Sequence, residues 1–129
     1  MRRATPLLTL GFLFVLTASA QVTGYYRQPD IHADLIVFNS EGDLWTVSRN
    51  GGSAQRLTSH PGQESWPTIS PDGSKIAFSA SYEGSADTYV MPIGGGTPKR
   101  ITWIGGRPAG WSPNGEVWLQ AAIVRSTEV

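Results

Sequence analysis

Ser65-Trp-Pro-Thr-Ile-Ser-Pro-Asp-Gly-Ser-Lys-Ile-Ala-Phe-Ser-Ala80, followed by Asp87-Thr-Tyr-Val-Met-Pro-Ile-Gly-Gly-Gly-Thr-Pro-Lys-Arg-Ile-Thr102, decides the fold. Four short apolar runs are separated by turn residues, and pieces of the stretch recur on both sides of it. Ser70-Pro71-Asp72-Gly73 returns as Ser112-Pro113-Asn114-Gly115. Arg100-Ile101-Thr102 answers Arg56-Leu57-Thr58, Gly94-Gly95-Gly96 answers Asn50-Gly51-Gly52, and Ile76-Ala77-Phe78 answers Ile36-Val37-Phe38. These copies lie 40 to 44 residues apart, the period of a four-stranded propeller blade.

Working outward, Asp34–Asn39 reads as a buried strand and Asp43–Ser48 as a second, alternating one. Asn50-Gly51-Gly52 turns the chain, because these residues tolerate positive φ, and Ala54–Thr58 follows as an outer strand. Residues 31–58 thus make a partial blade, with 21–30 as a lead-in whose segment Tyr25–Pro29 packs across a sheet edge or a blade end. Residues 65–102 make a complete blade. The third repeat starts at 108–120 and then loses its pattern. The fold expected is all-β: a partial β-propeller of two to three four-stranded antiparallel blades over residues 21–129, almost without helix. A propeller closes with about four to eight blades, so apolar faces and strand edges remain to be covered.

The N-terminus reads differently. Arg2 and Arg3, the apolar run Leu7–Leu16 and the small residues Ala18-Ser19-Ala20 form a secretory signal peptide over residues 1–20, a helical segment cleaved before Gln21. The run is shorter than the roughly 20 residues that span a bilayer. The expected location is outside the cytoplasm, periplasmic or secreted, with no membrane span after cleavage.

Of the ten basic and ten acidic residues in the chain, Arg2 and Arg3 belong to the signal. Eight basic against ten acidic residues then remain, a formal charge of −2. Without a basic stripe, nucleic acid is excluded as a partner. With no cysteine, there is neither a disulfide framework nor a thiolate metal site.

The order R-L-T-S-H-P-G-x-E-S-x-P-x-I-S-P-D-G-x-x-I-A-F-S-A-S-Y-E-G over Arg56–Gly84 resembles the N-terminal β-propeller of bacterial tricorn-type proteases. So do the lead Gly24–His32 and the pair Val90-Met91-Pro92 and Pro98–Thr102. Ser-Pro-Asp-Gly with Ile-Ala-Phe is also similar to the Tol–Pal propeller and to propellers of prolyl oligopeptidase relatives. The resemblance implies a non-catalytic segment of an exported, multidomain serine peptidase that handles substrate or acts as a scaffold. Its partners would be peptide or protein substrates, or the other blades and domains of a larger protein. The family's catalytic residues belong to a C-terminal domain, so none is assigned here. An interaction propeller of the Tol–Pal type, or a hydrolase of the prolyl oligopeptidase type, is the alternative.

Individual residues point the same way. His32 and His60 are the only histidines. They lie in polar connectors near acids, but lack a third ligand at metal-site spacing and any Gly-x-Ser-x-Gly elbow. Gly94-Gly95-Gly96-Thr97-Pro98-Lys99 fails the phosphate-loop spacing and precedes no helix. Asp72 has Asn114 as its counterpart, which makes it a turn residue rather than a calcium ligand. Asp43 and Asp87 recur at strand starts, where a carboxylate accepts from backbone N–H groups. Trp45 and Tyr89 are repeat equivalents expected in packing between blades, while Trp66, Trp103 and Trp111 flank connectors at a blade end. No catalytic, cofactor-binding or metal residue is expected, and no cofactor.

Overall fold

The computed structural model of the chain describes residues 24–120. They form ten strands: β1 Arg27–His32, β2 Leu35–Ser40, β3 Asp43–Ser48, β4 Gln55–Arg56, β5 Glu64–Ile69, β6 Lys75–Ala80, β7 Asp87–Pro92, β8 Lys99–Arg100, β9 Arg107–Trp111 and β10 Val117–Gln120. All pairings are antiparallel, in sheets ordered β1-β2-β3-β4, β5-β6-β7-β8 and β10-β9. No helix occurs among the described residues. This is the all-β partial propeller that the repeat indicated. The signal segment over 1–20 lies outside the described residues.

The lead-in requires a correction. Arg27–His32 is not a segment lying across an edge but the first strand of the first sheet, paired from Arg27↔Asn39 to His32↔Leu35. The first blade therefore has four strands, like the second. Proline cannot donate to a ladder, so Pro29 is out of place in a regular strand. The ladder, however, slips between Arg27 and Asp30, so the proline falls in a bulge opposite Phe38 and is asked for no hydrogen bond. Trp66-Pro67 repeats the device opposite Phe78.

The first strands converge: β1 lies against β5, and β5 against β9. Each sheet thus fans outward from an inner strand. The core sits between the first two sheets, where Val37 and Leu44 meet Ile69, Ile76, Phe78, Ala80, Tyr89 and Met91. Strand alternation explains which residues enter it. Phe78 and Tyr89 are cross-strand partners facing the first sheet, whereas their equivalents Phe38 and Trp45 pair on the opposite face of that sheet. There Phe38 is covered by Tyr26 at 5.2 Å, edge to face.

The outer strands are shorter than the sequence indicated, two residues each. The chain leaves the ladder at the Arg-x-Thr motif because a side chain takes over. Thr58 Oγ1 accepts the Leu44 N–H at 2.9 Å, and Thr102 Oγ1 accepts the Thr88 N–H at 2.8 Å.

Candidate functional site

Two repeated locks hold the blades. Asp87 is buried; it accepts from Arg100 at 2.6 Å, from the Thr102 hydroxyl at 3.0 Å and from the Gly105 N–H at 3.0 Å. Burial opposes its ionised form, but the bonds from Gly105, Thr102 and Arg100 outweigh that and hold its pKa below the usual value. Asp43, 44 residues earlier, pairs with Arg56 in the same way. There the Thr58 hydroxyl turns instead to Glu64, and Asp43 Oδ1 is left buried without a partner.

Glu64 joins the first two sheets. Only 2% exposed, it accepts from the Leu44 N–H at 3.1 Å and from the hydroxyls of Thr58 and Tyr82. Its own N–H donates to the Gly42 carbonyl at 2.8 Å, the one main-chain hydrogen bond between sheets among the described residues. Its carbonyl accepts from Asn39. Burial raises the Glu64 pKa, helped by the nearby Asp43 charge and only partly offset by the donors. The Tyr82 hydroxyl, desolvated beside that carboxylate, is pushed far up.

Each residue singled out from the sequence has a place. The His60 Nδ1 accepts the Gly62 N–H at 2.9 Å, with its ring 3.9 Å from that of Tyr82. His32 lies against the Ser-Pro-Asp-Gly turn of the next sheet, where a Cβ on Gly73 would come within 2.6 Å of its ring. The structure does not bring the two histidines into a metal cluster: no group of three or more His, Cys, Asp or Glu among the described residues is placed to hold an ion. Asp72 caps its own turn, accepting from Ser70 Oγ at 2.6 Å and from Ser74 N–H at 3.0 Å, which hold its carboxyl well below the usual range. Gly94–Gly96 is a turn closed by the Gly95 N–H to the Pro92 carbonyl at 3.0 Å. Tyr89 is in the core, and the Trp45 indole donates to the Ser40 carbonyl at 3.1 Å.

The inner strands carry the features of a surface site. Trp66, 43% exposed, has φ 54°, a left-handed conformation that a bulky residue rarely adopts. Its N–H donates to Gln28 Oε1 at 2.9 Å, and Arg107 stacks on its ring at 3.7 Å. The Ile69 N–H donates to Asp30 Oδ2 at 2.7 Å, and the Trp111 indole to the Thr68 carbonyl at 3.0 Å. Each inner strand also contains one proline: Pro29, Pro67 and Pro108. Trp103 stands apart, 69% exposed, with Arg100 5.8 Å from its ring. Sequence reasoning missed the Arg–Asp pairs and Glu64, although Asp43, Arg56 and Thr58 share one 44-residue offset with Asp87, Arg100 and Thr102.

Sheets of this order, fanned from convergent inner strands and locked by repeated Asp–Arg–Thr sets, define a β-propeller protein. A family model described as the tricorn protease N-terminal beta propeller domain matches residues 23–127, and the chain belongs to that family. Tricorn protease homolog 1 of Streptomyces coelicolor is 35% identical over 110 residues, which cover 79% of this chain and 10% of the relative. The crystal structure of the tricorn protease superposes with a TM-score of 0.64 at 32% identity, covering 74% of this chain and 11% of that one. The structure of putative TolB from Agrobacterium tumefaciens gives 0.62 at 29% identity, covering 71% and 36%. The chain thus spans about a tenth of the length of these two tricorn proteins, and about half of a putative tricorn-like protease N-terminal subunit of Sulfurisphaera tokodaii.

Proposed function

We propose that the chain is a non-catalytic, substrate-handling or scaffolding portion of an exported tricorn-like serine protease. The observation that carries this reading is the inner-strand surface. A groove of about 260 Å³ runs beside Trp66 between Pro29, Pro67 and Pro108. Prolines withhold N–H donors from the inner edges, which keeps an extended peptide from adding as a strand. The exposed indole offers apolar contact that is independent of peptide sequence. Such a surface suits loose contact with unfolded chains.

Anisotropy of a labelled unfolded peptide, titrated with the full chain and with Trp66→Phe and Trp103→Ala variants, tests this. Weaker binding for at least one variant is expected; unchanged affinity for both rejects the reading. Export has its own test, in which N-terminal sequencing of the protein from the exported fraction is expected to begin at Gln21. A product beginning at Met1 would sink that part.

The likeness to putative TolB supports a second reading, a propeller that binds partner proteins and processes none. The coding sequence beyond Val129 separates the two. A peptidase domain in continuation supports the first, and a closed propeller ending in a stop supports the second.

A further inference from the structure

An open cavity of about 440 Å³ lies at the surface between the second and third sheets, lined by Ser65, Trp66, Ser79, Gly106, Arg107 and Gln120 among others. The guanidinium of Arg107 is fixed on two sides. It stacks on Trp66 at 3.7 Å, and its Nε and Nη2 donate to Gln120 Oε1 at 2.8 and 2.5 Å. That acceptor is neutral. None of the four ion pairs among the described residues involves Arg107, so its half-buried positive charge meets no acid of the described residues at the cavity.

Other donors converge on the same space. Ser65 and Ser79 are cross-strand partners, so both hydroxyls project from one face of the sheet. Ser79 is only 4% exposed. Neither hydroxyl bonds to another described residue, and the Gly106 N–H is likewise unspent, whereas its neighbour Gly105 donates to Asp87. Among the described residues, no carboxylate lines the cavity. A guanidinium gains most from a charge-assisted pair with a planar or tetrahedral oxyanion, and hydroxyls beside it add neutral donors.

We propose that this cavity binds a small oxyanion, a phosphate, sulfate or carboxylate group, held by Arg107, the Ser65 and Ser79 hydroxyls and the Gly106 N–H against the face of Trp66. Apart from Trp66, the residues lining this site differ from those of the groove beside Pro29, Pro67 and Pro108.

Calorimetry on the full chain, with inorganic phosphate and with acetate at constant ionic strength, tests the proposal. Saturable binding is expected with a Kd on the order of 1 mM, as suits a few charge-assisted bonds. Arg107→Gln weakens it at least tenfold and Ser79→Ala a few-fold, while Lys99→Gln, on an exposed outer strand, leaves it unchanged. Tighter phosphate binding assigns a tetrahedral oxyanion, and tighter acetate binding a carboxylate. Absence of saturation, or equal binding by Arg107→Gln, overturns the proposal. Should Arg107→Gln fail to fold, the Ser65→Ala/Ser79→Ala pair decides: unchanged affinity overturns it and a loss supports it.

Discussion

The carboxylate of Glu64, on the inner strand of the second sheet, accepts the backbone N–H of Leu44 in the first sheet at 3.1 Å. A side chain thereby does between sheets what a ladder does within one. The Thr58 and Tyr82 hydroxyls complete the set. Replacing Glu64 with Ala leaves the Thr58 and Tyr82 hydroxyls without this acceptor and the Leu44 N–H with Thr58 Oγ1 alone, at a cost of about 2–4 kcal/mol. Urea unfolding is expected to show it, and a loss below the scatter of ordinary surface substitutions would contradict this role.

The same carboxyl sets a pH dependence. Burial raises its pKa above the ordinary 4.5, so the folded state holds the proton more tightly than the unfolded one. Its contribution to stability is therefore complete below 4.5 and is lost as pH rises through the folded value. Melting temperatures of Glu64→Gln should fall less than those of the native chain across that rise. Parallel profiles would count against the assignment.

Asp87 gives the opposite slope. Its lowered pKa contributes stability above the ordinary 3.8, which is lost as pH falls through the folded value. Asp87→Asn breaks the buried pair with Arg100 and should cost about 3–5 kcal/mol at neutral pH. The gap to the native chain should narrow as the medium is acidified below 3.8. Asp43→Asn, where one carboxylate oxygen already lacks a partner, should cost less in the same assay.

Gly73 has φ 71° and faces the His32 ring. An alanine there meets both a backbone penalty of about 1 kcal/mol and the ring itself. Gly73→Ala is expected to destabilise by about 2 kcal/mol, and His32→Ala in the same chain to restore part of that. A double-mutant cycle with no coupling would show that the contact carries no strain.

The propeller was legible because its turn residues and apolar runs repeat at nearly constant spacing, and such periodicity survives without knowledge of contacts. The first strand was missed for a local reason: Pro29 contradicts strand chemistry unless a bulge absorbs it, and bulges leave no periodic mark. The locks were half legible. Asp43 and Asp87 stood out as repeats, as did Arg56 and Arg100, yet their pairing needs the register of strands β3 and β4, or β7 and β8. Glu64 has no acidic counterpart, since Gly106 occupies its position one repeat later. A non-repeating residue is invisible to repeat reasoning. The cavity beside Arg107 was hidden likewise, because Ser65, Ser79 and Arg107 come from strands of two sheets.

Neighbouring inner strands touch through side chains from Gln28, Asp30 and Trp111 and exchange no ladder bonds. Sheets joined in that manner can be duplicated or dropped during evolution without rewriting any strand register. Each four-stranded sheet here carries its own Asp–Arg pair, so it can be copied or lost as a unit.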